Sequence, residues 1–210
     1  YSVFSEVGML PAYLMGLNIK DFKKNINSFF LKNRSFLSKS IAEMGNYYLK
    51  NKKSSLIFFN YYSPLNNFVF WAQQLIAESL GKKGLGILPV FSKAPRDHHS
   101  LLQLYLDGPR DKIFIILSNK EDKNLKYKKN LFSKTHNYIG KKTVSTVLNS
   151  QKNAFIKVLR KKKIPFREII MKSITESSLG ELLTYFIIET TMIGKMLNIN
   201  PFDQPAVEDV

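Results

Sequence analysis

The sequence predicts a doubly wound α/β fold in which a parallel sheet is buried between helical layers. Two apolar runs carry that expectation, SLIFFNYY at residues 55–62 and DKIFIILS at 111–118. Both are continuous instead of alternating, the pattern of strands that bury both faces. Segments of helical period separate such runs, so strand and helix alternate and right-handed crossovers are the natural connections. In folds of this kind ligands bind outside the carboxyl ends of the strands.

Taken in order, Val3, Phe4, Val7, Leu10 and Leu14 recur at helical spacing from Ser2 to Gly16, and a second helical pattern covers Ile19 to Leu31. A third, Phe36 to Leu49, runs into the basic residues Lys50 to Lys53, where like charges favour an exposed turn. Ser54 to Tyr61 reads as a strand, Asn66 to Leu80 as a helix, and Gly81 as its left-handed C-cap. Gly86 to Phe91 is a short apolar run, Asp97 a candidate N-cap for a helix through Leu106, and Lys112 to Leu117 a strand. Asn119 to Lys142 is polar and patternless, a surface connection. A helix from Val144 to Lys162, a strand from Pro165 to Met171 and a long helix from Ser178 to Leu197 follow, and an irregular tail runs from Asn200 to Val210.

Hydrophobic residues make up 44% and aromatics 13% of the 210 residues, enough for a sizeable core and too much for disorder. No apolar run approaches the roughly 20 residues that cross a bilayer, so no membrane partner is expected. Cysteine is absent, which excludes disulfides, thiol nucleophiles and zinc–thiolate sites, and three histidines are few for a metal centre. A reducing compartment fits. The chain opens at Tyr1 without an initiator Met or a signal pattern, and reads as an excerpt. The net charge of +16 comes mostly from Lys, which points to a solvated basic surface and away from nucleic acid. Such a field would also draw in an anionic, phosphorylated substrate.

Phe68, Trp71, Ala72 and Leu75 form one apolar stripe on the Asn66–Leu80 helix, and Glu78 lies one heptad beyond Trp71 on the same stripe. Its carboxylate is expected to face the core from the last turn, where burial and the negative end of the helix dipole both favour a general base working near neutral pH. The bland alternative is a glutamate paired with Lys82. His98 and His99 follow Asp97 at an expected helix N-terminus, which favours neutral imidazole, so either could do acid–base work or simply lie exposed in a capped turn. A Ser-His-Asp triad with Ser79 or Ser100 lacks a nucleophile-elbow pattern. The loop with Gly81, Gly84 and Gly86 follows a helix and fails as a nucleotide fingerprint, leaving a redirecting turn. Lys161 to Lys163 reads as a solvated helix end.

Four blocks, in order, resemble the second half of the glucose-6-phosphate isomerase family: YSVFSEVGMLPA, AESLGKKGLGILPV, DHHSLLQLYLDGP and NPFDQPAVE. Residues 119–165 match none. The resemblance implies a sugar isomerase (SIS-type) domain over 17–199, with 1–16 ending the preceding domain and 200–210 beginning a C-terminal segment. It implies Glu78 as the base that moves a proton between C2 and C1 of the open-chain sugar. His99 would help to open the ring, donated across a homodimer interface, and Gln204 would contact the substrate. The implied reaction interconverts glucose 6-phosphate and fructose 6-phosphate through a cis-enediol in glycolysis and gluconeogenesis, in the cytoplasm, with no cofactor and no metal. Family spacing puts an arginine immediately before Tyr1 and a lysine immediately after Val210, so the 210 residues alone are expected to be inactive. A sugar-phosphate sensor on the same fold is the alternative, and retention of Glu78 argues against it.

Overall fold

The computed structural model describes residues 1–49, 53–120 and 142–208. It is an α/β structure with a four-stranded parallel sheet flanked by helices. A 3-10 turn at Ser2–Phe4 leads into α1 (Glu6–Leu14), α2 (Ile19–Lys23), α3 (Ile26–Lys32) and α4 (Arg34–Leu49). Then come β1 (Ser55–Asn60), α5 (Asn66–Leu80), β2 (Leu88–Lys93), α6 (Arg96–Ser100), α7 (Leu102–Asp107) and β3 (Lys112–Asn119). The chain continues with α8 (Val144–Lys161), β4 (Phe166–Met171), α9 (Glu176–Met196) and a short α10 (Pro205–Glu208). The exposed turn expected over Lys50 to Lys53 falls largely outside the described residues, as does nearly all of the connection expected over Asn119 to Lys142.

Several local expectations are corrected. The pattern over Ile19 to Leu31 is two helices, because the chain breaks at Lys24 and Asn25, and the Asn25 amide reaches Ser177 and Glu181 on α9 at 2.7 Å each. Gly81 does not take the left-handed conformation. Positive φ falls instead on Lys83 (52°), Gly84 (71°) and Gly86 (120°), which together turn the chain from α5 into β2. Asp97 is not an N-cap: it lies inside the first turn of α6, and Leu101 separates α6 from α7. The tail is irregular only as far as Gln204, beyond which α10 forms.

The chain divides into two units. One comprises residues 56–67 and 90–173 and holds most of the sheet, whose strand order is β2-β1-β3-β4. β3 and β4 run parallel with Phe114 opposite Phe166 and Asn119 opposite Met171. The order reverses direction at β1, the arrangement of a doubly wound sheet. Ile57, Phe59, Phe114 and Ile116 form one core with Tyr105 of α7 and with Phe155, Ile156 and Leu159 of α8. Phe155 meets the rings of Phe59 and Phe114 edge-on at 5.0 and 5.4 Å. The alternate residues Phe58, Ile113, Ile115 and Leu117 are equally buried, which accounts for the continuous apolar runs. Thr143 caps α8 by accepting a hydrogen bond from the Thr146 amide at 3.1 Å.

The other unit comprises residues 1–55, 68–89 and 174–210. Its central element is α9, opened by a capping box in which Thr175 and Ser178 exchange side-chain to backbone hydrogen bonds of 3.2 and 2.9 Å. α2 crosses α9 at Gly180, where a Cβ would stand 2.1 Å from the Phe22 carbonyl oxygen, so only glycine permits this approach. Within the helical core Tyr185 links Ser40 and Glu189 by hydrogen bonds of 2.9 Å each, giving three buried polar side chains partners.

Candidate active site

On α5 the stripe read from the sequence is only partly core. Phe68, Ala72 and Leu75 are buried, but Trp71 and Glu78 are half-buried and look into a cavity of about 550 Å³. The carboxylate therefore faces a cleft and not the core. Tyr1, Ser2, Val7 and Gly8 from the start of the chain line the same cavity, together with Gln74, Pro201, Phe202 and Gln204. A second cavity of about 450 Å³ shares Glu78 and Gln204 and carries Lys82 and Lys83 in its wall. These volumes lie within the usual range for small-ligand sites.

Glu78 accepts two hydrogen bonds, one on each carboxylate oxygen. Gln74, one turn earlier on α5, donates to Oε1 at 2.7 Å, and Gln204 donates to Oε2 at 3.2 Å. The pairing of Glu78 with Lys82 does not form. Instead the Lys82 ammonium bonds the Asn200 carbonyl at 2.6 Å and the Asp203 carboxylate at 3.0 Å. That contact, helped by the Asn200 amide, holds Asp203 below the usual carboxylate range. Phe202, between them in sequence, packs its ring 4.8 Å from Tyr1.

The two histidines part company. His98 is built into the aromatic core of the sheet unit, its ring 5.1 Å from Phe59 and 5.7 Å from Phe155. Its Nε2 pairs with the Tyr61 hydroxyl at 2.5 Å. Burial lowers the pKa of His98 and pushes the Tyr61 phenol up, so both groups are neutral at pH 7. Helix polarity, the reason expected from the sequence, has little part in this, since α6 is a five-residue turn. His99, next in sequence, is exposed. Asp97 anchors the turn that carries it. Burial alone would raise the Asp97 pKa, but hydrogen bonds from Arg96, the Lys93 amide and Ser92 outweigh it and leave the carboxyl below its ordinary value. With Asp97 so engaged and the Ser100 hydroxyl turned to the Arg96 carbonyl, no Ser-His-Asp triad is assembled there.

Of the three residues singled out from the sequence, Glu78 and Gln204 are brought together in one unit, and His99 lies in the other. Sequence reasoning missed Gln74 as a partner of Glu78, the pairing of Lys82 with Asn200 and Asp203 in place of Glu78, and Tyr61 as the partner of His98. Gln74 could have been found from its four-residue spacing to Glu78. The other two depend on contacts distant in sequence. Among the described residues no group of three or more His, Asp or Glu is placed to hold a metal ion. Nor is any described helix long and apolar enough to cross a membrane.

No protein family model matches the chain. Curated relatives do. The chain is 33% identical over 220 residues to a glucose-6-phosphate isomerase of Methanocaldococcus jannaschii, covering 100% of this chain and 53% of that protein. A second, from Campylobacter jejuni, is 29% identical over 214 residues, covering 99% and 53%. Among solved structures, a hypothetical protein of Thermus thermophilus superposes with a TM-score of 0.85 at 23% identity over 97% of this chain and 51% of that one. A glucose-6-phosphate isomerase of Chlamydia trachomatis gives 0.73 at 18% identity over 99% and 44%, and both neighbours share the fold. The chain spans about half the length of the curated relatives it matches. From end to end, then, the chain is related to glucose-6-phosphate isomerases, and it corresponds to about half of one.

Proposed function

We propose that the chain carries part of the active site of an isomerase that interconverts glucose 6-phosphate and fructose 6-phosphate. Glu78 takes the proton from C2 of the open-chain aldose. The electrons of that C–H bond form the C1–C2 double bond, and the carbonyl oxygen O1 takes up a proton, giving the cis-enediol. The carboxylic acid then returns its proton to C1 while O2 loses its own and becomes the ketone oxygen. Proton transfer by a positioned base supplies about 10²–10⁴-fold, so cationic stabilisation of the enediolate is needed as well. Gln204 contacts the substrate, and His99 assists ring opening, donated across a homodimer interface. The reaction serves glycolysis and gluconeogenesis in the cytoplasm.

The observation that carries this reading is the meeting of Glu78 and Gln204 at 3.2 Å beside a cavity of sugar-phosphate size, in a chain related throughout to such isomerases. The test uses the full-length protein, with conversion of glucose 6-phosphate and incorporation of solvent deuterium followed for wild type and Glu78→Gln. Turnover by wild type, with both signals lost in a variant that still binds the sugar phosphate, is expected. Binding by wild type without conversion would replace the isomerase with a sensor.

A further inference from the structure

Gln204 stands in an exposed stretch of chain, immediately before the short α10, yet its amide is held at one oxygen of Glu78. Lys82, two residues past the end of α5, contacts this stretch. Its side chain is 8% exposed, unusually buried for a lysine, and its ammonium makes both of its bonds to residues just before Gln204. Those residues close on themselves. The Asn200 amide nitrogen donates to the second Asp203 oxygen at 3.0 Å, and the Phe202 N–H donates to the Asn200 side-chain oxygen at 3.1 Å. Pro201, packed against Gly194, fixes the beginning of the stretch, and the ammonium fixes its end.

We propose that Lys82 is a positioning residue for the active site: it ties the Asn200–Asp203 turn to the end of α5 and thereby holds Gln204 beside Glu78. The inference rests on the reading of Glu78 and Gln204 given above. An ammonium suits the task, being a compact charge with three donors that can serve a carbonyl and a carboxylate together. Lys82 lies four residues beyond Glu78, so the base and the tether issue from one helix end, and displacement of the turn moves Gln204 relative to the base directly.

A double-mutant cycle in the full-length protein tests this, with Lys82→Met and Gln204→Ala measured singly and together. Residues that act as a unit lose their additivity, so Lys82→Met is expected to lower kcat/KM by about tenfold in wild type and by less than about twofold once Gln204 is alanine. Equal losses in both backgrounds would overturn the proposal. Asp203→Asn, which keeps the size of the side chain and removes its charge, serves as the second variant and is expected to show the same coupling. Hydrogen exchange at the amides of Gln204, Ala206 and Val207 reads the tether without turnover. Faster exchange in Lys82→Met is required, and unchanged exchange would sink the idea. If wild type fails to isomerise, the functional reading falls, while exchange still decides the tether.

Discussion

Gln204 donates its side-chain amide to Glu78 at 3.2 Å, across 126 positions of sequence. With Gln74 on the other oxygen at 2.7 Å, the carboxylate is aimed by two neutral donors, and among the described residues no cation pairs with it. A donor on each oxygen fixes the direction in which the carboxylate lone pairs point, as the proposed proton transfer requires.

Removal of the nearer donor tests that orientation. Gln74→Ala is expected to lower kcat of the full-length protein by about threefold to tenfold, the net worth of an ordinary hydrogen bond, with a smaller effect on KM. Steady-state kinetics on fructose 6-phosphate would show it. A rise in KM with kcat unchanged would mean that Gln74 serves binding and not the base.

His98 couples stability to pH. Its imidazole has a lowered pKa through burial, so the native state stays neutral where the unfolded chain, titrating near about 6.5, takes up a proton. The unfolded state thus binds more protons, and stability falls as pH drops below that value, until the native imidazole also protonates. Urea midpoints between pH 7.5 and 5.5 are expected to decline in wild type and to decline less in His98→Phe.

Tyr61→Phe removes the hydroxyl that pairs with His98 and leaves the nitrogen of a half-buried imidazole without it. A loss of about 1–3 kcal/mol is expected from chemical denaturation, the cost of leaving a buried polar group unpaired. An unchanged midpoint would show that the pair contributes nothing net.

Gly180→Ala places a methyl group 2.1 Å from the Phe22 carbonyl, which is backbone and cannot rotate away. Overpacking of this kind costs about 1–3 kcal/mol. The thermal midpoint is expected to fall, and it would rise only if α2 moves off α9 without loss, since alanine otherwise favours a helix interior.

Much of the fold was legible because its signals are local. The strands β1 and β3 announced themselves as unbroken apolar runs, and α5 came out at Asn66–Leu80 as its periodicity indicated. Breaks imposed by tertiary contacts were not legible. Ile19 to Leu31 keeps helical spacing throughout, yet Asn25 leaves the helix to bond Ser177 and Glu181, some 150 residues on. Trp71 shares the spacing of Ala72 and Leu75 and still lines a cavity, because spacing shows a shared face and not what covers it.

The sequence by itself determined the α/β class, the position of Glu78 near the end of a helix, and the kinship carried by four short blocks. Composition, period and motif are properties of neighbouring residues, and neighbours are what a sequence displays. Only the tertiary structure decided that Lys82 pairs with Asp203 and not with Glu78, that Gln204 reaches the carboxylate, and that His98 is spent on Tyr61 while His99 stays exposed. Each pairing joins residues that lie far apart in sequence. Which pairings form was decided by burial and by contacts between those distant segments.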